Sequence, residues 1–111
     1  MMRLVVSLVL GAYLWFPVIS IAAEQNTYTI VIKNHKFEPD SLIIPTGQRV
    51  KVVIDNQDPT PEEFESYELS REKVVGAGKQ VSVYIGPLKS GSYGYYGEFH
   101  RITAQGTIVA E

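Results

Sequence analysis

The chain has 111 residues, 45% of them hydrophobic, with ten basic and twelve acidic side chains and a formal net charge of −2. That length supports one domain, and the mildly acidic balance argues against nucleic acid or an anionic membrane as partner. The chain has no cysteine, which excludes a disulfide framework, a thiolate metal site and a redox thiol.

Met1-Met2-Arg3 is a short basic start, Leu4 to Ile21 is almost wholly apolar, and Ser20-Ile21-Ala22-Ala23 offers small residues for cleavage. This is the pattern of a secretory signal peptide over residues 1–23, cut after Ala22 or Ala23. The alternative is a retained anchor, since the apolar run is long enough to span a tilted bilayer path. Pro17 and Ser20 near its end, and the lack of a basic stop-transfer cluster, favour cleavage and no membrane span afterwards. An exported domain without cysteine points to a bacterial periplasm.

Residues 24–111 read as the folded domain. Thr27 to Lys33 alternates and is rich in β-branched residues, which predicts a strand; Asn34-His35-Lys36 breaks it. Pro39 restricts its neighbourhood to extended or edge conformations. Leu42-Ile43-Ile44 is a second short strand, ended by Pro45-Thr46-Gly47. Val50, Val52 and Ile54 share one face of a third, half-buried strand. Asp55 to Pro61 is a loop by composition.

Glu62 to Lys73 is acidic and ambiguous. Thr60 and Glu63 fit a capping box with Pro61 at the first helical position, yet Phe64, Tyr67 and Leu69 hold no helical period beyond a turn. The expectation is a turn of helix or an irregular strand. Gln80 to Ile85 alternates as a strand, Tyr93, Tyr95 and Tyr96 begin another, and Thr107 to Ala110 form the last, with Gly- and Pro-containing turns between. Short, evenly spaced strands predict an all-β, Greek-key antiparallel β-sandwich with Phe37, Leu42, Val52, Ile54, Val83, Ile85 and Ile108 in the core. Composition alone does not choose among small sandwiches of this kind.

Two blocks narrow the choice. Phe37-x-Pro39-x-x-Leu42-x-Ile44-x-x-Gly47-x-x-Val50 with Asn56-x-Asp58, and Gly91-x-Tyr93 through Gly106-x-Ile108, resemble the two halves of a cupredoxin-like domain. The segment from Gly91 to Val109 has the layout of the cupredoxin copper loop, which supplies a cysteine, a histidine and usually a methionine, while another histidine arrives from elsewhere. Aligned on His100, the cysteine position is Gly97 and the methionine position is Ala104. The resemblance thus implies the scaffold without type 1 copper chemistry, and any metal would be held by nitrogen and oxygen. Five blocks in order resemble a subgroup, the EfeO-type cupredoxin-like domains of periplasmic ferrous-iron uptake and of small stand-alone exported proteins. They are Asn34-His35-x-Phe37-Glu38-Pro39, Pro59 to Ser66, Arg71 to Val75, Ile85 to Leu88 and Gly97-Glu98-Phe99-His100. That resemblance implies an iron or copper ion as ligand and an inner-membrane iron permease, or another periplasmic uptake component, as partner.

In an antiparallel sandwich alternate loops lie at one end. On this basis His35, the group Glu62, Glu63 and Glu65, and the pair Glu98 and His100 are expected to gather at one pole. Imidazole and carboxylate suit iron, copper(II) or zinc. His100 ranks first because it stands at a scaffold ligand position, Glu65 and Glu98 lead the carboxylates, Glu62 and Glu63 follow, and His35 closes the site. Each has an ordinary alternative: a solvated histidine, an acidic face, or Glu98 paired with Arg101 or Arg71. No nucleophile with its base, phosphate loop or basic patch is present. The leading reading is a periplasmic metal-binding protein serving iron or copper uptake or handling. A ferrous-iron oxidase component of a permease system and a metal-free interaction sandwich are the alternatives.

Overall fold

The computed structural model describes Asn26–Glu111, together with Gly11, Leu14 and Trp15. The leader and domain boundary expected around residue 23 fall otherwise outside the described residues. Among the described residues no helix is long and apolar enough to cross a membrane.

Among the described residues, nine strands follow in order: β1 (Thr27–Lys33), β2 (Lys36–Glu38), β3 (Ser41–Ile44), β4 (Val50–Asn56), β5 (Glu62–Ser66), β6 (Arg71–Val75), β7 (Gln80–Ile85), β8 (Gly91–Gly97) and β9 (Gln105–Ala110). A 3-10 turn, Glu98–His100, lies between β8 and β9. One sheet has the order β2-β1-β4-β7 and the other β3-β9-β8-β5-β6. The molecule is therefore the all-β sandwich expected, cupredoxin-like in architecture.

Strand direction departs from a purely antiparallel sandwich. β1 pairs with β4 in parallel, Tyr28 beside Val52 and Ile30 beside Ile54, and β3 pairs with β9 in parallel, Leu42 beside Ile108. The chain leaves the first sheet after β2, places β3 in the second, and returns for β4. Side-chain alternation is the same in either direction, so periodicity does not report it.

The expected core residues, Phe37, Leu42, Val52, Ile54, Val83, Ile85 and Ile108, are all buried between the sheets. Phe37, Phe64 and Tyr95 form an aromatic cluster, with ring centroids 5.0 Å apart for Phe37–Tyr95 and 4.9 Å for Phe64–Tyr95. Such edge and tilted contacts add to simple area burial. Gly106 has no room for a side chain, because Tyr95 lies where its Cβ would stand.

The ambiguous acidic stretch is a β5–β6 hairpin rather than a helical turn, with Glu63 beside Val74 and Glu65 beside Glu72. Its turn is pinned by the Ser66 hydroxyl, which donates to the Gly94 carbonyl at 2.6 Å and accepts from the Leu69 N–H.

Candidate functional site

Period-two alternation along β5 sends Glu62, Phe64 and Ser66 inward and Glu63 and Glu65 outward. Phe64 anchors this register in the core, and Glu62 is carried inside with it, only 1% exposed. A buried carboxylate is costly unless hydrogen-bonded. Glu62 is fully provided for: Oε1 accepts the backbone N–H groups of Glu63 and Phe99, each at 2.9 Å, and Oε2 lies 2.6 Å from His100 Nδ1. A carboxylate only accepts, so with Glu62 ionised the shared proton sits on Nδ1 and Nε2 is left open. His100 is 26% exposed and so reaches solvent.

The space around this pair is shaped by two small residues. A Cβ on Gly97 would stand 2.6 Å from Glu62 Cδ and 2.7 Å from the Ala104 methyl. The Gly97 N–H donates to the Ala104 carbonyl at 2.8 Å, closing the loop that carries His100. At the position that aligned with a cysteine, the direction a side chain would take is filled by the Glu62 carboxylate.

His35 completes the pole. Its ring stacks on His100 with centroids 3.6 Å apart and planes 12° from parallel. Asn34 and His35 both adopt left-handed backbone, φ 53° and 57°, a conformation uncommon for non-glycine residues. Asp58 holds them there: its carboxylate accepts the N–H of Asn34 at 2.8 Å and of His35 at 2.9 Å, and lies 3.4 Å from His35 Nδ1. Burial alone would raise the Asp58 carboxyl. The backbone N–H groups of His35 and Asn34, and the charges of His35 and His100, outweigh it and hold it below the usual range. Asn56, fully buried, fixes Asp58 in turn: Oδ1 accepts the Asp58 N–H, while Nδ2 donates to the carbonyls of Thr60, Val75 and Gly76.

Of the six residues singled out from sequence, the structure brings together His100, Glu62 and His35. Glu63 and Glu65 lie on the outer face of the same strand. Glu98 is paired with Arg101, whose Nε donates to it at 3.0 Å. The inner carboxylate is thus Glu62, not Glu65 or Glu98. Asn56-x-Asp58 entered the sequence reading as loop polarity and as part of a family block, not as site residues; their spacing, two residues apart at the end of a strand, is the signal that marks an Asx-stabilised turn.

On the outer face, the hydrogen bond to Glu72, burial, and the charges of Glu72, Glu65 and Glu98 push the Glu63 carboxyl up to about 7. Burial, then Glu98 and Glu72, raise Glu65 as well. A groove over β8 and β9, bordered by Asp40, Tyr67, Tyr96 and Arg101, does not include either histidine.

The donor set does not fit a type 1 copper centre, which needs a thiolate: the chain has no cysteine. It offers an ion the open Nε2 of His100, whose Nδ1 is held by the buried Glu62 carboxylate.

The family described as Cupredoxin-like domain matches residues 6–110. A protein of Rickettsia prowazekii (strain Madrid E), described as uncharacterized, is 44% identical over 80 residues, which make up 72% of this chain and 64% of that one. This chain therefore spans less than two thirds of that relative's length. Among solved structures, auracyanin A, a blue copper protein of Chloroflexus aurantiacus, superposes with a TM-score of 0.65 at 16% identity, over 77% of this chain and 98% of that one. A purple cupredoxin from Nitrosopumilus maritimus gives 0.61 at 21% identity, over 76% and 99%. Amicyanin from Paracoccus versutus gives 0.62 at 16% identity, over 78% and 82%. At identities this low the likeness speaks for the fold alone.

Proposed function

Because the chain belongs to the cupredoxin-like domain family, we propose that it is a periplasmic metal-binding protein that has exchanged a thiolate centre for nitrogen and oxygen donors. The observation that carries this reading is the Glu62–His100 contact, set in the space a side chain at position 97 would otherwise occupy. His100, through its open Nε2, would hold the ion, with Glu62 orienting the ring from Nδ1 and His35 at its edge. Bound there, iron or copper supplies one-electron chemistry. The chain's own residues keep a proton between Glu62 and His100, fix both rings by stacking, and limit water through the buried Glu62 side.

The role fits iron or copper uptake or handling of the EfeO type. Support comes from the five ordered sequence blocks, and from the way three of them, carrying His35, Glu62 and His100, meet at one pole. An inner-membrane iron permease, or another periplasmic uptake component, is the corresponding partner, and the signal-peptide pattern over residues 1–23 is the support for the compartment.

Calorimetric titration of iron(II), copper(II) and zinc into metal-stripped protein tests the reading. His100→Ala is expected to weaken binding at least about tenfold, some 1.4 kcal/mol, and the copper(II) form of the wild type should show only weak bands, with no intense thiolate-to-copper transition. Equal affinity in the two proteins would shift weight to a metal-free interaction sandwich. Acceleration of iron(II) oxidation by the wild type but not by His100→Ala would favour a ferrous-oxidase component.

A further inference from the structure

Charge is unevenly spread over this molecule, and the overall balance of −2 averages over the difference. Three cations converge on Tyr84, near the end of β7. The Arg49 guanidinium lies over its ring, 4.4 Å from the centroid. Lys51 is its cross-strand partner on the outer face of β4. The Arg71 Nε donates to its carbonyl at 2.8 Å. Arg49 and Arg71 are exposed and Lys51 is half-buried. Among the described residues none of the three cations has an ion pair, so their charges add into one positive field.

Such a group is usually a solvated face. Its place in the fold sets this one apart. Lys51 is also the cross-strand partner of Thr27, the first residue of β1. The patch therefore lies beside the point where the chain enters the domain. Only residues 22–26 separate that point from the apolar run Leu4 to Ile21, a reach of at most about 18 Å. β1 and β4 run parallel away from this end, β1 toward Asn34 and His35, β4 toward Asn56 and Asp58. Along the seven residues of β1, the histidine pole stands roughly 20 Å away.

We propose that Arg49, Lys51 and Arg71 seat the uncut chain on an anionic bilayer surface, beside its own apolar segment and with the His100 pole turned away from the lipid. Charge complementarity and chain connectivity select this occupant. Each cation held near an anionic leaflet favours the bound state about fivefold. An apolar segment in the same bilayer keeps the domain at high effective concentration there. Tyr84 is 44% exposed, and its apolar ring and polar tip suit the interface. Export brings the chain to a membrane before any cut at Ala22 or Ala23. Metal binding at the other pole plays no part in this docking.

Co-sedimentation of the full-length chain with vesicles tests this. Vesicles of phosphatidylcholine read the apolar segment alone, and vesicles that also contain phosphatidylglycerol add the charge. Binding should be stronger to the anionic vesicles, and that preference should vanish at high salt. Arg49→Gln with Lys51→Gln should lower binding to anionic vesicles about tenfold or more and leave binding to neutral vesicles within about twofold. Lys33→Gln with Lys36→Gln removes the same charge at the histidine pole and should leave both unchanged. Arg49 is exposed, so Arg49→Gln alone carries the test if the pair disturbs the fold. Equal binding of the wild type to both kinds of vesicle overturns the proposal. Wild-type binding by the Arg49 and Lys51 variants overturns it too. An equal loss in the Lys33 and Lys36 pair would show an effect of net charge without a docking face, and would also overturn it.

Discussion

Gly97 shows how single positions decide what this pole can do. Its φ of −90° is open to any residue; the constraint is space, since a Cβ would meet Glu62 and Ala104. Gly97→Ala is therefore expected to cost about 1–3 kcal/mol through overpacking and to part Glu62 from His100, seen as a lower urea midpoint together with weaker metal binding. Glu63 sets a pH dependence of its own. Its carboxyl stands near 7 in the folded protein against an ordinary 4.5. Between those values the folded state holds a proton that the unfolded chain has released, so stability falls as pH rises from 4.5 to 7. Thermal melts across that window should show the decline in wild type and a flatter profile in Glu63→Gln. Both histidines were legible from sequence because they interrupt strand patterns at loop positions. The inward role of Glu62 was not: adjacent glutamates are distinguished only by the register of their strand, and that register is set by Phe64.

Among the elements, the turn between β1 and β2 depends on a residue from a different loop. Asp58 reaches back to the N–H groups of Asn34 and His35, so Asp58→Ala should cost about 2 kcal/mol for two lost bonds to a charged acceptor. It should also release the His35 ring from His100, visible as changed imidazole resonances in NMR. Because the Asp58 carboxyl is held low, its contribution is present above the ordinary 3.8 and fades as pH drops through the folded value. Strands β1, β4 and β7 were readable from alternation along the chain. The β5–β6 hairpin was not, since Glu62, Glu63 and Phe64 are all buried and a run of acidic residues carries no apolar period to read.

Across the whole molecule, layers and core followed from the sequence, while the parallel pairings did not, because they arise from the chain crossing between sheets. One of those crossings constrains how the protein is made. β9 lies between β3 and β8, and the partners of Ser41 to Ile44 are Thr107 to Ala110. Until those late residues are available, β3 has no neighbour in its sheet and the sandwich stays open on that side. Contacts this distant along the chain slow closure. A nascent chain therefore cannot seat β3 in its sheet until β9 has been made, and the second layer of the sandwich is completed from its far end inward.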